Sequence, residues 1–528
     1  MYLNKNMKKV YFLAILTTVF LLTHSIELCA QQKSNKKPNI LFFAIDDLKP
    51  LLGCYGNKMV HSPNIDKLAE YSTVYYANYC QQAICGPTRA SILTGLRPDK
   101  TKIWVLNAVI REKNPTILTL PQYFKQNGYT TAAIGKIFHK SNVDKLHDSV
   151  SWTKPYRSES KYEYPEKYGY PLLGQYQSEI LKKEFQNKDN NTNDDEESKK
   201  SGKLTSSECI DVEDDAYVDG QIAIEAIEDL KQFSTSDKPF FLAVGFHKPH
   251  LPFVAPKKYW DLYDRNKMDL ATWQQPSIDG PKIAYHNSNE LRSYTDIKSM
   301  SDEPMLKLDS NKQKELIHAY YACVSYTDAQ IGKVLDELKK QGLDKNTIIV
   351  LWGDHGWHLG DHSLWHKHTN FEQATRAPLI ISAAGQTKGY VYNGQTEHVD
   401  VFPTLCELSG LTIPNGLDGV SLAKTTRGDK KAVKEYSISQ WPKNLNKGEN
   451  AIMGYTIRTE RYRYTEWVGK DFRTTKHFNK EDITDAELYD YKIDPNETHN
   501  YLNNQAYKSV RDDMSKKLHD FYLSQEIK

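Results

Sequence analysis

Apolar runs with the composition of buried strands alternate with amphipathic helical stretches along this chain, and this alternation constrains its fold most. Strand-type runs cover Asn39–Ile45, 240–245 and 346–352, and apolar residues recur at helical spacing over Val218–Phe233 and 314–341. Such alternation is typical of a mostly parallel sheet with helices on both faces. We therefore predict an α/β fold with a large, mostly parallel or mixed sheet that is sandwiched by helices.

Shorter patterns extend this arrangement and then change toward the C-terminus. Residues 63–76 show helical spacing, and the short apolar runs 130–134 and 379–381 predict further strands. In the C-terminal part, residues 452–467 alternate as strands do, and residues 509–523 show helical spacing again. This change of pattern predicts a separate α+β arrangement at the end of the chain.

The length of the chain predicts more than one hydrophobic core. With 528 residues, it exceeds the size at which chains split into domains. We predict an N-terminal catalytic domain over residues 31–432 and a smaller C-terminal α+β domain over residues 433–528. Within the first domain, the polar, low-complexity stretch 186–202 predicts a mobile surface loop.

Residues 1–30 have the composition of an export signal. Three lysines precede an apolar run at residues 10–22 that is too short for a comfortable membrane span, and a cleavage point follows Ala30. We predict a signal peptide and an exported protein, periplasmic or secreted, with no stable membrane span. A membrane anchor and a lipoprotein attached at Cys29 are the alternatives, although the residues before Cys29 lack the small residue that such processing prefers.

Composition and charge exclude some classes of protein. Hydrophobic residues make up 39% and charged residues 26%, which fits a soluble globular protein. The formal net charge is only +2, so no overall field indicates a nucleic-acid partner. A local basic pocket for an anionic substrate remains compatible with this balance, because net charge reports only the sum.

Acidic residues directly follow two of the predicted strands. Asp46 and Asp47 come after the first strand, and Asp354 and His355 come after the strand at 346–352. In open α/β sheets, ligands bind at the carboxyl ends of the strands. Three carboxylates favour an oxygen-loving cation, calcium or magnesium, over zinc. The alternative is that each pair caps a helix or closes a turn.

A cysteine stands at the start of another predicted helix. Pro87 and the helix-forming residues after it predict that a helix begins near Cys85. Free backbone amides at a helix N-terminus favour an anion, which suits a modified or nucleophilic residue. Taken by itself, however, this pattern favours an ordinary buried cysteine.

The residues around Cys85 resemble a known signature. Cys-x-Pro-Ser-Arg followed by Thr-Gly is typical of the formylglycine-dependent sulfatases of the alkaline-phosphatase superfamily, and this chain has Cys-Gly-Pro-Thr-Arg at 85–89 and Thr-Gly at 94–95. Thr88 stands where the family usually has serine. Residues 39–47 resemble the first strand and metal pair of the family, and residues 62–68 resemble the start of its next helix.

Further stretches resemble the iduronate-2-sulfatase branch of this family. They are 135–139, 243–252, 324–326, 354–360, 367–371, 453–464 and 487–489. Asp354-His355 matches this branch, whereas most sulfatases have asparagine as the fourth metal ligand. The resemblance covers nearly the whole mature chain and implies an alkaline-phosphatase-like fold.

The resemblance also implies a mechanism that uses a modified residue. In the family, a maturation enzyme oxidises the cysteine, here Cys85, to Cα-formylglycine (3-oxoalanine). One hydroxyl of the hydrated aldehyde attacks sulfur, the sugar alcohol leaves, and the second hydroxyl expels sulfate. The resemblance further implies that Asp46, Asp47, Asp354 and His355 hold one divalent cation together with Cys85, with Ca²⁺ expected rather than Mg²⁺.

Residue type and family position together predict the roles of the other polar residues. Arg89 is expected to brace residue 85, while Lys136 and Lys367 hold the sulfate oxygens, where developing negative charge needs fixed cations. His139 is the candidate base, and His247 is the candidate acid for the leaving alcohol. All of these except Arg89 are also expected to contact the substrate.

Another group of residues is predicted to surround the sugar. Trp357 and His368 are expected to shape the sugar-binding face, and Lys248 and His250 are less favoured candidates. His368 stands where the iduronate-2-sulfatase branch has tyrosine. The other histidines of this region are His358, His362 and His366. They suggest either a zinc site or a solvated loop, of which the solvated loop is the favoured interpretation.

Five cysteines remain besides Cys29 and Cys85. They are Cys54, Cys80, Cys209, Cys323 and Cys406. Their spacing matches no metal-site pattern, and an odd number leaves at least one unpaired. Cys323 and Cys406 lie in apolar helical stretches, so we expect both to be small buried hydrophobic residues.

These observations predict a sulfatase that acts on a sulfated polysaccharide or oligosaccharide. The branch resemblance implies a 2-O-sulfated uronic acid of glycosaminoglycans, and an algal polysaccharide such as ulvan or carrageenan is the alternative substrate. A phosphoesterase of the same superfamily is the rival chemistry. A catalytically dead protein that binds sulfated glycans is the alternative from another class.

Overall fold

One strand with two buried faces organises the N-terminal part of the molecule. The computed structural model describes residues 36–157, 205–297, 305–445, 450–469, 472 and 480–526. Strand β1, Asn39–Ile45, is buried along its whole length. Its odd-numbered side chains from Leu41 to Ile45 belong to one hydrophobic core, and its even-numbered side chains from Ile40 to Ala44 belong to another. Because successive side chains point to opposite faces of a strand, this division confirms a sheet that is covered on both sides.

The central sheet has seven strands, in the order β3-β5-β1-β7-β8-β2-β9. The strands of the described residues, in chain order, are β1 Asn39–Ile45, β2 Thr73–Tyr79, β3 Thr130–Gly135, β4 Ser207–Ile210, β5 Phe240–Phe246, β6 Phe253–Pro256, β7 Thr347–Gly353, β8 Leu379–Ser382, β9 Tyr390–Glu397, β10 Ser437–Lys443, β11 Ile452–Arg458, β12 Tyr462–Val468 and β13 Ile483–Asp490. Within the central sheet, β8 pairs antiparallel with both of its neighbours, and all other neighbours pair in parallel. The sheet is therefore mixed and mostly parallel, as predicted.

Helices cover the two faces of this sheet. The helices of the described residues are α1 Pro63–Ala69, α2 Cys85–Thr94, α3 Pro98–Thr101, α4 Ile110–Lys113, α5 Leu120–Gln126, α6 Val218–Phe233, α7 Lys257–Trp260, α8 Asn289–Arg292, α9 Ser310–Lys340, α10 Glu372–Thr375, α11 Val401–Leu408, α12 Ala423–Thr426 and α13 Lys508–Glu526. Helices α6 and α9 contribute to the core beneath one face, and helices α2, α5 and α11 contribute to the core beneath the other. The predicted layers of helix, sheet and helix are present.

The predicted helix at 63–76 is wrong in its second half. Helix α1 ends at Ala69, and the chain then enters strand β2, which lies between β8 and β9 in the sheet. The segment that forms β2 is rich in β-branched and aromatic residues, which favour a pleated and half-buried surface. Pairing on both sides therefore outweighs the helical spacing of the apolar residues.

A second, smaller sheet follows near the C-terminus. Strands β10, β11, β12 and β13 form an antiparallel four-stranded sheet. Helix α13 packs against it through Met514 and Leu518, which share a core with Ile457 and Leu488. The predicted small α+β unit is present in this region, and the boundary at residue 432 stays a prediction.

Some expectations fall on other parts of the chain. The predicted signal peptide at 1–30, including Cys29, and the polar stretch 186–202 lie outside the described residues. Among the residues that are described, no helix is long and apolar enough to cross a membrane. Cys323 and Cys406 are fully buried with free thiols, as expected of small hydrophobic residues.

Candidate active site

Four adjacent parallel strands bring their polar end residues to one edge of the central sheet. In the order β3-β5-β1-β7, these strands end just before Lys136, His247, Asp46 and Asp354. The last residues of β5, β1 and β7 are in register, since Ile45 pairs with both Phe246 and Gly353, and the last residue of β3, Gly135, pairs with Gly245. A Cβ atom at Gly245 would collide with the backbone carbonyl of Lys136, so glycine is needed where the ends of β3 and β5 meet.

Asp46, Asp47, Asp354 and His355 form what we call the strand-end cluster. All four side chains are fully buried. The backbone N–H of Asp47 donates to Asp354 Oδ1 at 2.9 Å. His355 Nε2 lies 3.4 Å from Asp47 Oδ1 and 3.7 Å from Asp354 Oδ1. The structure thus brings together the four residues that the sequence predicts as metal ligands.

The histidine of this cluster presents a lone pair to the carboxylates. His355 Nδ1 lies 3.0 Å from the carbonyl oxygen of Gly356, which can only accept, so Nδ1 carries the hydrogen. Burial lowers the pKa of His355, so its ring is neutral and Nε2 faces Asp47 as an acceptor. Acceptor atoms that face one another in a buried site are stabilised by a cation between them.

The carboxylates also fit a bound cation. Burial, together with the neighbouring charges of Asp46 and other carboxylates, raises the pKa of Asp47 well above its usual range. Burial also raises the pKa of Asp46, but the positive charges of Lys136 and its neighbours outweigh it and hold that pKa well below its usual range. A set of buried carboxylates and one neutral imidazole provides the hard ligands that a divalent cation prefers.

Cys85 opens helix α2 and faces this cluster. Its Sγ lies 3.4 Å from His355 Nε2. The ligand atoms of Cys85, Asp354 and His355 lie within 4.8 Å of one another, and so do those of Cys85, Asp46, Asp47 and a fourth residue, His250. Burial and the charge of Asp46 raise the pKa of the Cys85 thiol well above its usual range, so the unmodified side chain is a poor nucleophile.

Arg89, on the next turn of α2, joins the two halves of the cluster. Its Nη2 lies 3.0 Å from Asp46 Oδ1, and its Nε lies 3.1 Å from Asp354 Oδ2. A third contact runs from Nη1 to the carbonyl oxygen of Ile137 at 3.1 Å. The guanidinium group also lies over the ring of Trp352 at 5.5 Å. This side chain is fully buried, so it fixes the spacing between the ends of β1 and β7.

Two lysines pair with carboxylates of the strand-end cluster. Lys136 pairs with Asp46. Lys367 Nζ lies 3.0 Å from Asp47 Oδ2 and 3.0 Å from Glu290 Oε1, and it lies over the ring of Trp357 at 4.9 Å. The ammonium groups that the sequence predicts as sulfate ligands are therefore held beside the predicted metal ligands.

The turn after β5 is fixed by a carboxylate at the start of helix α6. Asp219 accepts the backbone N–H groups of His247 and Lys248, both at 2.8 Å. Lys248 Nζ donates to the carbonyl oxygens of His250 and Pro252 at 2.9 and 2.7 Å, so it supports the loop. The side chain of His247 is only 2% exposed at the end of β5.

The remaining predicted residues lie around this centre, and their roles stay predictions. His139 is half-buried just before a short 3₁₀ helix, Lys140–Asn142, and its Nδ1 accepts from the backbone N–H of Ser141 at 3.3 Å. Trp357 is buried beneath Lys367. His368 stacks on Trp441 with ring centroids 4.7 Å apart.

Sequence reasoning missed two carboxylates that position site residues. Glu290 lies on the short helix α8 and contacts both Lys367 and His250, the latter at 3.3 Å. No sequence signal marks Glu290, because its helix lies in an irregular region far along the chain from both partners. Asp219 was detectable, since an acid in the first turn of a predicted helix is a common binder of backbone amides.

The expectation of a solvated histidine loop is wrong. His358, His362 and His366 are all buried. Together with His286 and His368 they form what we call the histidine cluster, in which neighbouring rings lie 3.8 to 6.5 Å apart. Aromatic packing explains the burial, since His362 stacks on Phe371 at 4.6 Å.

Comparison with known proteins supports one family. The family profile described as Sulfatase matches residues 38–411, which include Cys85 and the strand-end cluster. The profile described as N-sulphoglucosamine sulphohydrolase, C-terminal, matches residues 360–524. Among curated proteins, the chain is 34% identical to iduronate 2-sulfatase of Mus musculus, over 89% of this chain and 91% of the relative. It is 32% identical to a sulfatase of Formosa agariphila, over 95% and 90%.

Solved structures share the fold at lower identity. A protein in complex with its substrate D-glucosamine-2-N,6-O-disulfate matches with a TM-score of 0.68 and 21% identity, over 93% of this chain and 98% of that one. The phosphonate monoester hydrolase from Silicibacter pomeroyi matches with a TM-score of 0.68 and 20% identity, over 92% and 95%. The family profile and the two full-length relatives decide between these chemistries: the chain belongs to the sulfatase family and is a sulfuric ester hydrolase.

Proposed function

We propose that this enzyme removes the 2-O-sulfate of a uronic acid in a glycosaminoglycan, using formylglycine made from Cys85 and a calcium ion held by the strand-end cluster. The observation that carries this proposal is the position of Cys85 Sγ, 3.4 Å from His355 at the edge where β1 and β7 end. The similarity to iduronate 2-sulfatase over nearly the whole chain supports the substrate.

The unmodified cysteine is unsuited to the reaction. Burial raises the pKa of its thiol well above neutrality, and the nearby carboxylates disfavour a thiolate further. A sulfur nucleophile would therefore be protonated under ordinary conditions. This supports conversion by a maturation enzyme before the protein is active.

The residues that would hold the cation are Asp46, Asp47, Asp354 and His355, with residue 85 beside them. A bound divalent cation withdraws negative charge from a sulfate group and favours the ionised form of an oxygen nucleophile, and formylglycine supplies that oxygen. Calcium suits this set because carboxylate oxygens predominate among the ligands.

Fixed positive charges of the chain then bind and orient the sulfate group. Lys136 and Lys367 pair with two different carboxylates of the strand-end cluster, Asp46 and Asp47, and we assign both ammonium groups the donation of hydrogen bonds to sulfate oxygens. Trp357 lies beneath Lys367 and limits the positions of its ammonium group. Arg89 keeps the two carboxylate pairs at a constant distance.

Two histidines are the candidates for proton transfer. His247 follows β5 directly, and its backbone is held by Asp219. We assign it the donation of a proton to the leaving sugar oxygen, and we assign His139 the removal of a proton at residue 85. Burial of the surrounding residues excludes bulk water from these steps.

The test uses protein produced together with a formylglycine-generating enzyme. Mass analysis of the peptide that contains Cys85 is expected to show the thiol replaced by an aldehyde oxygen. The Cys85→Ala variant is expected to lose sulfate release by about 10³-fold or more, whereas Cys80→Ala, a buried cysteine outside the site, retains it. Full activity of Cys85→Ala would contradict the mechanism.

Substrate class is tested with defined oligosaccharides. Sulfate release is compared for 2-O-sulfated uronate disaccharides, 6-O-sulfated glucosamine disaccharides, and ulvan and carrageenan oligosaccharides. Turnover of the first group only is the expected result, and turnover of an algal oligosaccharide only would overturn the proposed substrate. Aryl phosphate and phosphonate esters, assayed in parallel, measure the rival chemistry of the structural neighbours.

We also propose that the protein is exported and that its signal ends at Ala30. The support is the basic and apolar pattern of residues 1–30. N-terminal sequencing of protein recovered from the periplasm or medium is expected to begin at Gln31. Protein that keeps its first residues, or that carries lipid on Cys29, would contradict this.

A further inference from the structure

The histidine cluster lies directly beside the strand-end cluster, with Glu290 between them. Glu290 contacts Lys367 on one side, and its Oε2 lies 3.8 Å from His366 Nδ1 on the other. The rings of His366 and His368 lie 4.5 Å apart at an angle of 87°. Ligand atoms of Glu290, His366 and His368 lie within 4.8 Å of one another.

The imidazole ring of His366 is buried, with both of its nitrogens unsatisfied within the described part of the chain. Its side chain is 0% exposed, and neither ring nitrogen has a hydrogen-bond partner among the residues that the structure describes. A buried polar group without a partner is destabilising, so the position calls for a ligand. A metal ion can bind such a nitrogen directly.

His286 packs beside Glu290, His366 and His368, but its own ring nitrogens already have partners. Its Nε2 donates to the carbonyl oxygen of Lys367 at 2.8 Å, and its Nδ1 accepts from the backbone N–H of Ser288 at 3.0 Å. Both nitrogens are therefore satisfied in the neutral tautomer. The ring of His286 stacks on that of His366 at 3.8 Å and holds it in place.

The two oxygens of Glu290 face different partners. Oε1 lies 3.0 Å from Lys367 and 3.3 Å from His250, whereas Oε2 faces His366. The carboxylate can therefore offer Oε2 to a metal ion while Oε1 keeps its pair with Lys367. Because Oε1 stays paired with Lys367, the positive charge of this lysine remains compensated when a metal ion binds to Oε2.

We propose that Glu290, His366 and His368 form a second metal site, specific for a zinc-class divalent cation, next to the catalytic centre. Two imidazoles and one carboxylate are a ligand set that suits zinc, whereas the strand-end cluster with its carboxylates suits calcium. Three protein ligands leave a coordination position open, and the partial exposure of His368 gives access to it. The site does not depend on conversion of Cys85 or on the identity of the sugar.

Charge state favours the same ligands. Burial lowers the pKa of His366 and of His368 well below the usual range, so both rings are neutral and can bind a metal without losing a proton first. Opposing burial, the charge of Lys367 and its neighbours lowers the pKa of Glu290, so its carboxylate is ionised.

The experiment titrates Co²⁺, a spectroscopic substitute for Zn²⁺, into full-length protein kept in excess Ca²⁺. One equivalent is expected to bind, with visible absorption bands typical of nitrogen and oxygen ligands in a site of low coordination number. His366→Gln and His368→Gln are each expected to weaken this binding by at least about tenfold. His358→Gln is the matched control, because His358 is a buried neighbour whose Nε2 bonds to Thr369 at 2.9 Å and which lies outside the three-residue group.

Circular dichroism of each variant shows whether it folds, and the more exposed His368 provides a readout if His366→Gln fails to do so. Asp354→Asn, which alters only the strand-end cluster, is expected to keep the Co²⁺ bands. The proposal is overturned if no Co²⁺ binds beyond the calcium site. It is also overturned if the bands disappear in Asp354→Asn and persist in both histidine variants.

Discussion

The strand-end cluster and the histidine cluster are neighbours, but the first buries charged groups and the second buries neutral ones. In the first, buried carboxylates are paired with Arg89 and two lysines, so burial is compensated by opposite charge. In the second, the imidazoles are buried as neutral groups, and their pKa values are lowered by burial. The two regions meet at Glu290. Its carboxylate faces Lys367, which pairs with Asp47 of the strand-end cluster, and it also faces His366 of the histidine cluster.

The difference shows two ways of burying polar side chains. Charged side chains can be buried when oppositely charged side chains or a bound cation compensate their charge. Neutral imidazoles are less costly to bury, but those that lack partners are left ready to bind a ligand. The following experiments test how far this contrast holds.

The largest effect is expected from replacing Arg89, whose guanidinium group pairs with two carboxylates of the strand-end cluster. Arg89→Met removes a cationic partner from buried Asp46, which keeps Lys136, and from buried Asp354, which should lower the free energy of unfolding by about 3–5 kcal/mol. Denaturant unfolding of metal-free protein measures this. Arg461→Met is the matched control, because the side chain of Arg461 is 43% exposed although its partner Asp490, at 2.7 Å, is buried, and a smaller loss is expected there. Equal losses in both variants would contradict the role of burial.

Calcium binding should stabilise the strand-end cluster in particular. At a calcium concentration 100 times the dissociation constant, the free energy of unfolding should rise by about 2.7 kcal/mol, and a chelator should reverse the gain. Asp354→Asn is expected to lose the gain, whereas His366→Gln keeps it. A thermal midpoint that does not respond to calcium or chelator would show that this cluster is not a metal site.

Acid should weaken the histidine cluster. Burial and the charge of Lys443 lower the pKa of His286 to about 3, whereas an unfolded histidine titrates near 6.5. Below pH 6.5 the unfolded state binds the proton first, so the contribution of His286 is lost as the pH falls from about 6.5 towards 3. At pH 5 this amounts to about 2 kcal/mol relative to pH 7.

The pH effect is measured by unfolding at pH 7 and pH 5. His286→Gln is expected to reduce the loss between these two values by that amount, and His61→Gln, on an exposed residue, serves as the control. A loss that is unchanged in His286→Gln would place the acid sensitivity elsewhere.

The smallest effect concerns Thr88, the departure from the usual serine. Thr88 Oγ1 donates to the carbonyl oxygen of Asp354 at 2.9 Å, which ties helix α2 to the strand-end cluster. Thr88→Ser keeps this hydroxyl and should cost about 1 kcal/mol or less for the lost methyl group. Peptide mapping should find Cys85 converted to the same extent. Thr88→Val removes the donor and should cost more, and equal stability of the two variants would show that the bond contributes nothing.

The wrong prediction of a helix up to residue 76 has a cause that lies outside the local sequence. The segment that forms β2 carries apolar residues at helical spacing, yet it is a strand because β8 and β9 pair with it on both sides. The two strands that decide this outcome, β8 and β9, are distant in sequence from β2.

The sequence alone is sufficient to predict that the residues of the strand-end cluster come together. Asp46, Asp47, Asp354 and His355 each follow a recognisable buried strand, and parallel strands of one sheet must end at a common edge, so their convergence follows from the pattern. The meeting of Glu290 with the histidine cluster, by contrast, is visible only in the tertiary structure. Glu290, His286 and His366 lie in irregular segments without periodicity, and their meeting depends on how loops pack over the sheet edge, which no local pattern encodes.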